Sequence, residues 1–341
     1  MIKLDSNENP FGPSPLAVEA MQAVLADCGS YPDDDASALR RKLAELHRVN
    51  IEQILVSGGL TEFLGMLART FLADGLNAVT SERSFMVYRL ATHAANAQVI
   101  EVPMRQHSFD LSAIASAVNK NTRMVFLANP NNPTGTAFGA AELQEFLRRV
   151  PADVLVVLDE AYIHYADRPD LPDSVQLFRE HKNLLIMRTF SKVYGLAGLR
   201  VGYGIGDTPV LDAMNKLRTP FNLTGVSQAA AMAALDDAEH VSRSIQENTA
   251  ERARLSKGLA ELGLRPVRSH ANFIFIDIGP EARELCDELL HEGVIVRPLG
   301  WMGFPEAMRV SVGVASENEK LLAVMSRLLA KRAGKSELTT R

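Results

Sequence analysis

Val154-Leu155-Val156-Val157-Leu158 is an unbroken apolar run that ends abruptly in Asp159-Glu160-Ala161-Tyr162. A strand with one wet face alternates apolar and polar residues, whereas a strand apolar on both faces lies under helices on both sides. The run therefore predicts an interior strand of a mainly parallel sheet. Runs of the same kind flank it at 54–56, 77–80, 124–128 and 184–187, and helical periodicity fills the intervals at 61–72, 85–95 and 140–150. Upstream, helices are expected over 15–27 and 36–49, the second with Leu39, Leu43, Leu46 and Val49 on one face and Asp35 as its cap. This alternation predicts an α/β sheet wound with helices on both faces.

After Phe221 the pattern changes. A long helical stretch over 225–262 precedes a strand at 273–277, a helix at 282–291, strands at 294–297 and 308–312, and a last helix from Ser316. The reading is an arm and helix over 1–30, a large α/β domain over 31–224, a smaller α+β domain over 225–333 and a disordered tail over 334–341. The breaker-rich Asn7-Glu8-Asn9-Pro10-Phe11-Gly12-Pro13 reads as an extended arm packed near the small domain.

Composition narrows the function classes. With 341 residues, 47% of them hydrophobic, the chain can fill two cores, and a net charge of -5 gives no electrostatic footprint for nucleic acid. The basic run Arg40-Arg41-Lys42 reads as a solvated helix face. Apolar stretches fall short of the roughly 18 residues that a membrane helix needs. The two cysteines, Cys28 and Cys286, are expected as reduced, buried thiols of a cytoplasmic enzyme. The eight histidines show no metal-ligand spacing, so no metal is expected.

In sheets of this kind ligands sit at the carboxyl ends of the strands, and four runs end there in unusual polar sequences. Ser57-Gly58-Gly59-Leu60-Thr61-Glu62 is a strand, glycines and a helix start, a shape whose exposed N–H groups and dipole favour phosphate. Asn129-Pro130-Asn131-Asn132-Pro133-Thr134-Gly135 presents an asparagine amide on a stiff backbone. Asp159 ends a wholly apolar strand, where a carboxylate is costly unless a cation or a strong donor faces it. Thr189-Phe190-Ser191-Lys192 ends another, and Arg200 follows with a planar fork suited to phosphate. A lysine at such a place suits a Schiff-base nucleophile. Gly202-Tyr203-Gly204-Ile205-Gly206 lacks the spacing and the acidic residue of a dinucleotide fingerprint and reads as a strand.

Asn-Pro-x-Asn-Pro-Thr-Gly, Asp-Glu-Ala-Tyr and Ser-Lys-x-x-Gly-Leu-Ala-Gly-Leu-Arg, in this order and spacing, resemble fold-type I aminotransferases of classes I and II, over nearly the whole chain. Leu4-Asp5-Ser6-Asn7-Glu8-Asn9-Pro10, Tyr31-Pro32-Asp33, Arg218-Thr219-Pro220-Phe221-Asn222 and Arg309-Val310-Ser311-Val312-Gly313 resemble the histidinol-phosphate branch. The resemblance implies pyridoxal 5'-phosphate held as a Schiff base on Lys192, which then carries the proton between substrate and cofactor. It implies Asp159 at the pyridine nitrogen, Asn132 and Tyr162 at the phenolic oxygen, and Phe85 stacked on the ring. The phosphate falls to Gly59, Leu60, Thr61, Thr189, Ser191 and Arg200, with Tyr31 reaching it from a second subunit of a homodimer. Arg309 and Arg297 are implied at the substrate anion, with Asn132 close by.

Three departures stand out. Gly59-Leu60-Thr61-Glu62 replaces a small residue, Asp and Glu; Arg83-Ser84-Phe85 replaces Pro-Thr-Tyr; and the segment before Leu4 is shorter than the family's. The implied reaction transfers an amino group from L-histidinol phosphate to 2-oxoglutarate. An aromatic or broad-range aminotransferase, a phosphothreonine decarboxylase-like enzyme, and a catalytically silent relative serving as a binding module are the alternatives.

Overall fold

In the computed structural model, which describes residues 1–339 and side chains to Arg332, the arm begins as β1 (Ile2–Lys3), paired in parallel with β11 (Val294–Ile295). The last helix spans Ala315–Thr339, so the tail expected as disordered over 334–341 is helical as far as Thr339, and residues 340–341 lie outside the described residues. The central sheet holds β2 (Ile54–Ser57), β3 (Asn77–Ser81), β4 (Gln98–Val102), β5 (Thr122–Ala128), β6 (Leu155–Asp159), β7 (Leu184–Thr189) and β8 (Gly202–Ile205). Their spatial order is β2-β8-β7-β6-β5-β3-β4. All neighbours are parallel except β8, which runs against both β2 and β7.

That one reversal has a geometric result. β2, β5, β6 and β7 all end at one edge of the sheet, and β8 begins there, so Arg200 arrives at the edge where the other strands deliver their terminal residues. The interior strands are apolar on both faces as expected: Val156, Val157, Leu158, Leu184, Leu185, Ile186 and Met187 are fully buried. Each such side chain contributes about 1.5–3 kcal/mol by leaving water.

A second, antiparallel sheet is built from β9 (Arg265–Pro266), β10 (Phe273–Asp277), β12 (Arg297–Pro298) and β13 (Ala307–Ser311), in the order β12-β13-β10-β9. Its core is separate and joins Leu4 of the arm to Ile274, Ile276, Met308, Val310 and the helices Ala282–His291 and Ala238–Glu261. The arm therefore packs on the small sheet, as its composition suggested.

Several local expectations change. The helical stretch over 225–262 is two helices, Gly225–Ala234 and Ala238–Glu261, because Asp237 accepts from the His240 amide and starts the chain afresh. The first helix is Pro15–Val24 followed by a tight turn at Leu25–Gly29. Ser37–His47 is capped from Asp33, whose carboxylate accepts from Ser37 N at 2.7 Å; Asp35 pairs instead with Arg40. Arg40 and Lys42 also reach backbone carbonyls of Ile54 and Met232, so the basic run is partly packed rather than only solvated. Cys286 is buried, but Cys28 is exposed. The strand expected at 294–297 is split between two sheets at Val296, and β4, a partly exposed edge strand, has no apolar run to announce it.

Candidate active site

The strand ends enclose a cleft of about 340 Å³ lined by Leu60, Thr61, Phe85, Asn132, Asp159, Tyr162, Thr189, Ser191, Lys192, Arg200, Arg297 and Arg309 among others. Twelve of the fourteen residues singled out from the sequence thus meet in one place. Gly59 lies directly beneath Arg200: its φ of +83° belongs to the left-handed region, and a Cβ there would strike the guanidinium. Tyr31 is elsewhere on this chain, 81% exposed and stacked on Phe221 at 4.5 Å.

Asp159 closes the floor. It is buried, with Oδ2 accepting from the Tyr88 hydroxyl at 2.7 Å and Oδ1 accepting from Ala161 N at 3.0 Å. Burial pushes its carboxyl up to about 6, against the pull of those donors. Glu160 leaves the cleft and forms a buried pair with Arg188 at 2.8 Å, so the two neighbouring carboxylates do not compete for one site. Tyr88 had no signal in the sequence apart from standing one helical turn beyond Phe85, whose ring it meets edge-on at 5.6 Å. Replacing Tyr88 with phenylalanine leaves a buried carboxylate oxygen without its donor. We expect denaturant unfolding of the cofactor-free protein to register a loss of about 2 kcal/mol at pH 8, and less at pH 5, where Asp159 is protonated. Equal losses at both values would count against this account.

Lys192 is half-buried, with Nζ 3.2 Å from the Asn7 carbonyl, 3.4 Å from that of Ser6, and 5.4 Å from the Tyr162 ring centre. Among the described residues these carbonyls are its hydrogen-bond acceptors, and no carboxylate pairs with it. Among the described residues Arg200 likewise bonds Ser191 Oγ at 3.3 Å and the Ala197 carbonyl at 2.9 Å and no carboxylate. A guanidinium without a carboxylate, beside the start of the helix Leu60–Phe71 and the Ser191 hydroxyl, is a donor set for a phosphate. The Thr189 hydroxyl is committed to the turn, donating to the Val201 carbonyl and accepting from Ser191 N.

The Asn/Pro loop is held from within: Ser84 Oγ donates to Asn131 Oδ1 at 2.7 Å, and Asn129 Oδ1 accepts from Phe138 N. Asn132 is thereby projected into the cleft, where its Oδ1 accepts from Arg309 Nη1 at 2.5 Å. The Tyr162 hydroxyl accepts from Asn7 Nδ2 at 3.1 Å. Asn7, fully buried in a left-handed conformation, also exchanges hydrogen bonds with Ser311. The arm is therefore a wall of the cleft through Ser6 and Asn7, where the sequence offers a breaker-rich segment and a block resembling the histidinol-phosphate branch but no site residue. Trp301 and Met302, from the turn after β12, complete the apolar side.

Residues 1–328 match the family model for aminotransferase class I and II. The chain is 48% identical over 331 residues to histidinol-phosphate aminotransferase 2 of Pseudomonas fluorescens, covering 97% of this chain and 90% of that protein. Among solved structures it is similar to histidinol-phosphate aminotransferase from Sinorhizobium meliloti in complex with pyridoxal-5'-phosphate, with a TM-score of 0.92 and 30% identity over 97% of this chain and 91% of the other. It also resembles a mutant aspartate aminotransferase from Thermus thermophilus, with a TM-score of 0.86 and 25% identity over 96% of each chain.

Proposed function

The chain belongs to the family of class I and II aminotransferases, and on that premise we propose that it converts L-histidinol phosphate and 2-oxoglutarate to imidazole-acetol phosphate and L-glutamate with pyridoxal 5'-phosphate. The observation that carries the choice of substrate is the pair Arg297 and Arg309, opposed across β12 and β13 at the mouth of the cleft that contains Lys192 and Asp159. Two guanidinium groups there suit an amino donor that ends in a phosphate.

The cleft fits the cofactor on its own chemistry. A buried carboxylate whose charge is unfavourable until a cation faces it, a glycine cradle under an arginine that pairs with no carboxylate among the described residues, and a lysine lining the same cleft match a protonated pyridine, a phosphate and an aldehyde. When bound, pyridoxal 5'-phosphate supplies the electron sink for the pair left on the donor's α-carbon. Asp159 holds the positive charge on the pyridine nitrogen. Asn132 and Tyr162 orient the phenolic oxygen, and Phe85 covers the ring. Gly59, Leu60, Thr61, Ser191 and Arg200 hold the phosphate, with Thr189 shaping their turn. Lys192 Nζ would anchor the cofactor and, once released by substrate, would take up and return the proton of the donor's α-carbon. Arg309, oriented by Asn132, and Arg297 take the phosphate of one substrate and the carboxylate of the other in alternate half-reactions.

Among the described residues no helix is long and apolar enough to cross a membrane, and we place the enzyme in the cytoplasm. We read it as a homodimer in which the exposed Tyr31 reaches the cofactor phosphate of the neighbouring subunit. An aromatic amino acid is the competing donor, suited to Phe85, Trp301 and Met302. Absorbance of the loaded enzyme discriminates between them. The visible band should convert with L-histidinol phosphate and return with 2-oxoglutarate; conversion by phenylalanine but not by histidinol phosphate would replace the substrate and keep the reaction class.

A further inference from the structure

Asp5, in the arm, stands between the two arginines of the substrate mouth and has no part in the reaction as described so far. Arg297 and Arg309 are direct cross-strand partners, an arrangement in which like charges repel. Asp5 answers both. Its Oδ2 lies 2.8 Å from Arg297 Nη2. Its carbonyl accepts from Arg297 Nε at 3.2 Å and from Arg309 Nη2 at 2.7 Å. The backbone that carries it is fixed on both sides, by the pairing of β1 with β11 and by Ser311 N donating to the Leu4 carbonyl at 2.8 Å.

The cluster is incomplete by itself. Among the described residues Asp5 Oδ1 and Arg309 Nε are buried without a hydrogen-bond partner. The Arg309 Nε–H is a donor that an incoming anion can complete, whereas Asp5 Oδ1 is an acceptor that an anion cannot satisfy and that therefore opposes it by charge. Arg309 is nearly wholly buried, and that burial pulls its guanidinium down to about 10, so an anion beside it is favoured.

We propose that Asp5 is the built-in counter-ion of the Arg297–Arg309 pair and sets the charge of the anion that the pair prefers, reducing two positive charges to a net one. The inference rests on the reading above only in taking the two arginines as the substrate-anion site. Its use is balance. The same mouth must hold a dianionic phosphate in one half-reaction and a carboxylate in the other, and must release both. With a net charge of two, the phosphate would be held far more tightly than the carboxylate. Asp5 acts through the arginines, and is therefore a positioning residue.

Charge gives this role a signature that shape does not. Coulomb energy scales with the charge of the ligand, so removing the charge of Asp5 should raise the logarithm of affinity twice as much for a dianion as for a monoanion. The probes are inorganic phosphate at pH 8, mainly dianionic, and methanesulfonate, a tetrahedral monoanion. Both are used as competitive inhibitors of the cofactor-loaded enzyme at fixed ionic strength, with whichever amino donor it turns over. For Asp5→Asn we expect the inhibition constant to fall about tenfold for phosphate and about threefold for methanesulfonate. Equal changes for the two ions, no change, or weaker binding of both would overturn the proposal.

A second cycle guards against a loosened arm. Arg297→Gln alone leaves Asp5 facing the anion and should raise the phosphate constant more than about tenfold, whereas Asp5→Asn combined with Arg297→Gln should return it to within about threefold of the parent. A double variant no better than Arg297→Gln sinks the idea. If the enzyme uses phenylalanine and not histidinol phosphate, the substrate assignment fails while these inhibition ratios still test Asp5.

Discussion

Lys192→Ala is expected to abolish transamination, with a loss of at least about 10⁴-fold in kcat, while the protein still takes up pyridoxal 5'-phosphate. In the proposed reaction the lysine does two jobs at one atom: covalent attachment and proton transfer. Its surroundings leave it free for both, since among the described residues Nζ meets the carbonyls of Ser6 and Asn7 and the face of Tyr162 and no carboxylate. The other residues proposed to hold the cofactor, Arg200, Ser191, Asp159 and the turn at Gly59, make their contacts with one another and with Tyr88 and not with Lys192. Two measurements check this. Single-turnover kinetics should give no product on the timescale of the parent. Borohydride reduction followed by mass spectrometry should tag residue 192 in the parent and leave the variant unlabelled, although both bind cofactor. A variant retaining more than about a hundredth of the parent rate would remove Lys192 from the proton transfer.

The second large effect separates stability from activity at Asp159. Its buried carboxyl is lifted from the ordinary 3.8 to about 6. At about 1.4 kcal/mol per pH unit, holding it charged costs the cofactor-free fold about 3 kcal/mol at pH 8. The folded-state value lies above the unfolded one, so the contribution that favours folding is present below pH about 4 and is lost as pH rises through about 6. Asp159→Asn removes the charge and keeps the shape, and the Tyr88 hydroxyl can turn to accept from the new amide. The cofactor-free variant should therefore be more stable than the parent at pH 8, by about 3 kcal/mol in denaturant unfolding, by about half as much at pH 5, and nearly equal to it below pH about 4. Activity should move the other way. With no anion at the pyridine nitrogen, kcat should drop on the order of 10²–10³-fold. A variant less stable at pH 8 would show that Asp159 serves the fold; one of undiminished activity would show that it does not serve the cofactor. A charge that costs stability where it serves chemistry is the expected pattern at an active site.

What the sequence by itself determined was whatever rests on local periodicity and on single residues out of place. Runs such as Val154–Leu158 and Leu184–Met187 can be stable only when covered on both faces, so the wound α/β sheet was legible from them. Asp159 and Lys192 were legible because a charge at the end of such a strand is costly without a chemical use. Helix breaks decided by one side chain, such as the Asp237 cap, and the edge strand Gln98–Val102 were not, because periodicity is blind to capping and to half-wet strands.

The tertiary structure decided what depends on distance between residues far apart in the chain. β8 runs against its neighbours, and only that brings Arg200 over Gly59. Tyr88 meets Asp159 across 71 positions, Asn7 meets Tyr162 across 155, and Asp5 meets Arg297 across 292. No pattern in the chain encodes these pairs, since each is fixed by where two separately stable elements come to rest against each other. The sheet edge collects the chemistry, but the arm and the small sheet choose its company, because burial constrains each residue's own surroundings and leaves its distant partners to packing.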